Sequence, residues 1–177
     1  MTEKILNQSV AYHGNFIKLD HYTVELPNGS QHQREIVRHL GAVAIVALDD
    51  ADNILMIRQY RLGALSTMLE IPAGGLEPDE MPALCAQREL REETGFGATD
   101  WVALGGWYPV PGYSTEYLHL FLARGLQADP LDGDADEQIE LVRMPFAEAV
   151  EKVHQGEIQN STAICGILKA HHYLSQG

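Results

Sequence analysis

The segment RELREETG, Arg88 to Gly95, places Glu89, Glu92 and Glu93 within five residues of a chain whose formal net charge is already −13. On a helix of roughly 3.6 residues per turn, Glu89 and Glu93 lie on one face about 40° apart. Glu92 lies to the side, one turn from Arg88. Like charges at this spacing oppose helix formation, and acidic residues near a helix C-terminus oppose the macrodipole. Local stability therefore disfavours the arrangement. Composition leaves two readings: a solvated acidic face, or a site for a hard cation bound through carboxylate oxygen. In the second, a divalent ion turns repulsion into attraction and Arg88 orients Glu92 as an ion pair.

The rest of the chain bounds the problem. Its 177 residues suit one domain, or one domain with a small appendage, and a hydrophobic fraction of 45 % supports a core. Lys plus Arg number 12 against 25 Asp plus Glu, which argues against a nucleic-acid partner, since phosphate-backbone binding needs basic residues. Cys85 and Cys165 have no CxxC spacing, so a reducing, cytoplasmic setting is expected. The N-terminal MTEKILNQSV is not a secretory leader, and no apolar run is long enough for a membrane span.

Outward from the acidic segment, a helix is predicted from Asp79 to Thr94, with Gly95 as its C-terminal cap. Pro82 is compatible with its first turn. Before it, IPAGGLEPDE (Ile71–Glu80) reads as a Gly/Pro-rich loop. Phe16–Leu26, Gln31–Leu40, Ala42–Leu48 and Ile54–Tyr60 read as strands, with the continuous apolar run AVAIVAL buried on both faces. After the helix, DWVALGGWYPV and EYLHLFLARGL read as strands around the loop PVPGYST. An acidic loop, Leu131–Gln138, precedes the strand IELVRMP, and helices are predicted near Pro145–His154 and Asn160–Leu174. The mixture implies an α+β or α/β sandwich.

The spacing around the glutamates is more specific than the cluster itself. Gly74, five residues, Glu80, seven residues, then Arg88, Glu89, Leu90, Arg91, Glu92, Glu93, Thr94, Gly95 and Phe96 fill every fixed and apolar position of the Nudix box. The sequence resembles the Nudix hydrolase superfamily. EIPAGGLE, RQYR and PVPGYSTEYLHLFLA, with Pro111 sixteen residues after Gly95, resemble its branch of ADP-ribose pyrophosphatases and nucleoside diphosphate sugar hydrolases.

The resemblance implies a Nudix fold: mixed β-sheets between helices in an α/β/α sandwich, with an N-terminal antiparallel sheet. Residues 1–40 would be that N-terminal, dimerising region and 41–177 the hydrolase domain. It implies a pyrophosphatase that uses Mg2+ or Mn2+ and cleaves ADP-ribose to AMP and ribose 5-phosphate. A homodimer acting on a small nucleotide sugar is implied. Alternatives are GDP-mannose or another nucleotide sugar as substrate, or a non-catalytic ADP-ribose sensor.

Residue by residue, the resemblance makes Glu89 and Glu93 the principal metal ligands. Glu92 is auxiliary, the Ala73 carbonyl joins them, and Glu80 and Arg88 support them. Gly74 and Gly75 would let the loop turn tightly. Arg34, Arg61, Glu70, Pro111, Gly112, Ser114 and Glu116 would contact substrate. The general base would come from the late acidic loop, as Glu137 or, three residues on, Glu140. The eight histidines are read as surface residues near the C-terminal helix.

Overall fold

The computed structural model describes residues 2–14, 17–133 and 138–176. Chain contacts divide it into two compact units, residues 1–41 with 108–117, and residues 42–107 with 118–177. The segment 108–117, placed by the sequence in the second region, therefore groups with the first.

The first unit is built on a three-stranded antiparallel sheet in the order β1 (Lys4–His13), β2 (Lys18–Glu25), β3 (Gln31–Arg38). β1 is a strand that the sequence reading missed. Every one of its residues is exposed, so it lacks the in/out alternation by which a half-buried strand is recognised. The returning segment is stitched to β3 and its end. The Val37 amide donates to the Tyr113 carbonyl (2.7 Å) and the Thr115 amide to the Val37 carbonyl (3.0 Å). Thr115 Oγ1 accepts from the His39 amide at 2.9 Å.

The second unit centres on β4 (Ala42–Leu48), whose seven residues are all buried. Its sheet runs β10 (Ile139–Pro145), β5 (Asn53–Arg61), β4, β9 (Leu118–Ala128), β8 (Phe96–Trp107), with β6 (Ser66–Glu70) on β5 and β7 (Ala73–Gly75) on β4. β4 is parallel to β9 and antiparallel to β5 and β7. Because side chains alternate along a strand, β4 serves two cores. Val43, Ile45 and Ala47 pack with Cys85, Ala86 and Leu90 of α1 (Pro82–Thr94). Ala44, Val46 and Leu48 pack with Val150 of α2 (Phe146–His154) and Ala163, Ile167 and Ala170 of α3 (Ser161–Leu174). The expected layering of helix, mixed sheet and helix is present.

Three local expectations are corrected. α1 begins at Pro82, not Asp79, because Asp79 holds φ +62°, in the left-handed region where a right-handed helix cannot start. The loop 71–80 contains β7, a strand of one alanine and two glycines that propensity disfavours. β8 starts at Phe96, directly after the helix cap. Among the described residues no helix is long and apolar enough to cross a membrane.

Candidate active site

α1 carries the acidic segment. Pro82 occupies its first turn, and Gly95 ends it in the left-handed region (φ +76°), its amide bonded to the Arg91 carbonyl. The glutamates one turn apart, Glu89 and Glu93, are 9 % and 8 % exposed. Both meet β7. Glu93 Oε2 accepts from the Ala73 amide at 2.8 Å. At Gly74, a Cβ would lie 2.0 Å from Glu89 Cδ and Oε1 and 2.3 Å from Oε2. Gly74 is thus needed for close approach of a carboxylate to backbone. Neither it nor Gly75 has positive φ, since they form part of an extended strand, which corrects the expected tight turn.

Pairing fixes which way this backbone faces. The Ile45 amide bonds the Pro72 carbonyl at 2.8 Å, so Pro72 faces β4. Successive residues of a strand direct their amide and carbonyl to opposite edges. Ala73 therefore faces away from β4, as its amide bond to Glu93 attests.

Arg88 binds the remaining acids. Its Nη1 donates to Glu89 Oε1 (2.7 Å) and to Glu92 Oε2 (2.9 Å), the pair expected from their spacing. Nε and Nη2 donate to the two oxygens of Glu80, each at 3.0 Å. The Arg88 hydrogen bonds hold the Glu80 carboxyl down at about 2. Reciprocally, Glu80 above all pushes the Arg88 guanidinium further up. Nη2 also reaches Cys85 Sγ at 3.3 Å, and burial pushes that thiol up to about 12.

Among the described residues no set of three or more His, Cys, Asp or Glu side chains converges as a metal cage. The reason is visible in the pairing, since Glu89, Glu92 and Glu93 are each turned toward an N–H donor. The donor chemistry nonetheless fits a hard divalent cation. Three carboxylates on adjacent turns, two of them nearly buried, and the Ala73 carbonyl on the edge turned away from β4 offer oxygen ligands.

Other expected site residues fall into separate groups. Arg61 Nε and Nη2 donate to the two carboxylate oxygens of Glu70 at 3.0 and 2.7 Å, and Glu70 is 2 % exposed. The two were expected as independent substrate contacts; they form one bidentate pair. Glu140 lies opposite Arg58 in the β10–β5 register and takes both its bonds from Arg58 Nη1, at 3.0 and 3.1 Å. Glu137 falls outside the described residues. In the first unit, Arg34, Pro111 and Gly112 line one cavity of about 390 Å3 with Glu3, Tyr22 and Ile36. Arg34 Nη2 meets Glu3 Oε1 at 2.6 Å. Ser114 Oγ accepts from the Glu116 amide at 3.1 Å, closing a local turn.

The sequence reading missed Arg58, Glu3 and Cys85, all of which act through contacts distant in sequence or, for Cys85, through burial. Among the histidines, expected at the surface near the C-terminal helix, His119 departs: it is half-buried on β9, where burial lowers its pKa.

The sequence profile of the NUDIX domain matches residues 38–163. The chain belongs to the Nudix family. Its relatives include the ADP-ribose pyrophosphatase of Mycobacterium tuberculosis, 40 % identical over 169 residues (94 % of this chain, 82 % of that protein). The ADP-ribose pyrophosphatase of Bacillus subtilis is 37 % identical over 163 residues (91 % and 88 %). The methanol dehydrogenase activator of Bacillus methanolicus is 36 % identical over 167 residues (93 % and 90 %). A crystal structure of an ADP compounds hydrolase superposes with a TM-score of 0.90 at 27 % identity, covering 99 % of this chain and 96 % of the other.

Proposed function

We propose that this Nudix protein is a divalent-metal-dependent pyrophosphatase of nucleoside diphosphate sugars, with ADP-ribose cleaved to AMP and ribose 5-phosphate. The observation that carries the reading is the seating of Glu89 and Glu93 against β7, with Gly74 clearing space for one carboxylate and the Ala73 amide binding the other. Two relatives named as ADP-ribose pyrophosphatases, each matched over more than nine-tenths of this chain, support the substrate class.

In this reading Glu89, Glu93, Glu92 and the Ala73 carbonyl would hold Mg2+ or Mn2+. Such an ion would supply neutralisation of the pyrophosphate charge and activation of water. The chain's own residues do the rest. Arg61 meets a phosphate of the substrate. Arg88, anchored by Glu80, sets the orientation of Glu89 and Glu92. Glu137 takes the proton of the attacking water, with Glu140, which pairs with Arg58, as the alternative base. Arg34, Pro111 and Gly112 hold part of the substrate in the cavity they share, with Ser114 and Glu116 fixing the shape of the loop.

We further propose a cytoplasmic homodimer formed through the N-terminal region. β1 exposes Ile5 (61 %), Val10 (65 %) and Tyr12 (59 %), apolar area that a second copy would cover.

The deciding experiment incubates purified protein with a panel of nucleoside diphosphate sugars and Mg2+ or Mn2+, followed by detection of the phosphate-containing products. Turnover of ADP-ribose to AMP and ribose 5-phosphate is expected. A kcat/KM for a deoxynucleoside triphosphate above that for every diphosphate sugar would overturn the reading.

A further inference from the structure

Arg61 and Glu70 stand on neighbouring antiparallel strands but are not opposite each other. Arg61 pairs in register with Ser66, and Glu70 with Ile57. Along β5 the offset from Ile57 to Arg61 is four residues, roughly 14 Å at about 3.4 Å per residue. The side chains close that gap. Residues 57, 59 and 61 share one face of the strand, so the Arg61 side chain is drawn back along the sheet, on the face that carries the buried Gln59. Without this anchor Arg61 would sit at the rim of a hairpin whose tip residues, Leu62 and Leu65, are each 75 % exposed.

Glu70 is in turn the last residue of β6, three positions before Ala73, whose amide meets Glu93. A carboxylate this buried is retained only when paired. The pairing here is the two-toothed fork that holds a guanidinium plane in one orientation. It engages two of the five N–H groups of an arginine. The Arg61 side chain remains 41 % exposed, so solvent still reaches the guanidinium.

We propose that Glu70 is a positioning residue that acts through Arg61. It draws the guanidinium back from the hairpin tip and fixes the plane in which it meets a phosphate oxygen. The proposal rests on the hydrolase reading above and deepens it: phosphate binding by Arg61 depends on a carboxylate that never touches substrate.

The test measures the Kd of the non-hydrolysable α,β-methylene analogue of ADP-ribose by calorimetry in the presence of Mg2+. Wild type, Glu70→Gln, Arg61→Ala and the double variant are compared, with melting temperatures alongside. Glu70→Gln keeps the side-chain volume and removes the charge and one acceptor. Glu70→Gln and Arg61→Ala are each expected to weaken binding about tenfold or more, the worth of a charge-assisted hydrogen bond. The double variant is expected to bind no more weakly than Arg61→Ala alone. Arg61→Lys, which keeps the charge and loses the fork, is expected to weaken binding likewise, and it serves if Glu70→Gln fails to fold.

Wild-type Kd in Glu70→Gln, in Arg61→Ala or, where it stands in, in Arg61→Lys overturns the proposal, as do losses that multiply in the double variant. A change in melting temperature without a change in Kd marks a merely structural pair. A wild-type protein that binds the analogue but hydrolyses no nucleoside diphosphate sugar refutes the hydrolase reading and leaves the Kd comparison decisive. A wild-type protein that does not bind the analogue overturns both.

Discussion

Gly74 and Glu89 approach so closely that a single methyl group on the glycine would stand 2.0 Å from the glutamate's carboxyl carbon. The glycine is in extended backbone, which alanine adopts freely, so an alanine there disturbs the carboxylate and not the chain. Gly74→Ala is expected to keep the fold, with a melting temperature near wild type, and to lose about 10²-fold or more in kcat, the scale of an ångström-level misplacement at a reacting centre. Steady-state kinetics with ADP-ribose beside a thermal melt check this. Wild-type turnover would show that the position of Glu89 does not matter to the chemistry.

Glu89→Gln and Glu93→Gln test the metal assignment. Glutamine keeps the side-chain volume and an acceptor oxygen for Arg88 or the Ala73 amide, and removes one of two like charges a turn apart, so neither variant is expected to unfold the protein. Each is expected to cut turnover severely and weaken Mn2+ binding by at least about tenfold, read by titration calorimetry. Wild-type turnover of either variant at saturating Mg2+ removes its glutamate from the ligand set.

Glu137→Gln and Glu140→Gln separate the two candidate bases. With Glu140 held by Arg58, Glu137→Gln is expected to lower kcat by about 10²–10⁴-fold, the range of general-base loss, with substrate Kd nearly unchanged. Glu140→Gln is expected to leave kcat within a few-fold of wild type. The reverse pattern assigns the base to Glu140. Full activity in both moves it to the box helix or to Glu116.

Acid stability tests the Arg88 network. The Glu80 carboxyl sits at about 2 in place of its ordinary 4.5, chiefly through the hydrogen bonds from Arg88. A depressed carboxyl contributes stability that is present above its unfolded value and is lost as pH falls toward its folded value. The melting temperature is expected to drop across the window from 4.5 down to about 2, and Glu80→Gln is expected to flatten the drop within that window. An unchanged acid limb in Glu80→Gln would show that the network adds nothing to folding.

How much of this was legible beforehand depends on how local each signal is. The helix through Glu89 and Glu93, its glycine cap and the Arg88–Glu92 pair follow from spacings within one or two turns. The double burial of β4 followed from its unbroken apolar run. β1 was not legible because no residue of it is buried. β7 was hidden because two of its three residues are glycine, and the true reason for Gly74 is a contact fifteen residues away in sequence. Arg61 and Glu70 were both singled out, yet their pairing depends on a strand offset that a sequence does not display. The same holds for Arg58 and Glu140, which are joined only when β10 lies against β5.

The guanidinium of Arg88 touches Glu80, Glu89 and Glu92 at once, and this sets what a chelator can do. The fold carries its own counter-ion, built into the chain, so the acidic cluster is neutralised in part before any ion arrives from solution. Stripping the protein of divalent ions should therefore silence it without unfolding it, and adding them back should restore it without a refolding step. On the proposed reading, an ion that enters would compete with an internal cation for the same oxygens, which would make occupancy a matter of ambient concentration. On that reading the protein would be held ready in ion-poor surroundings and would answer to the supply of its ion.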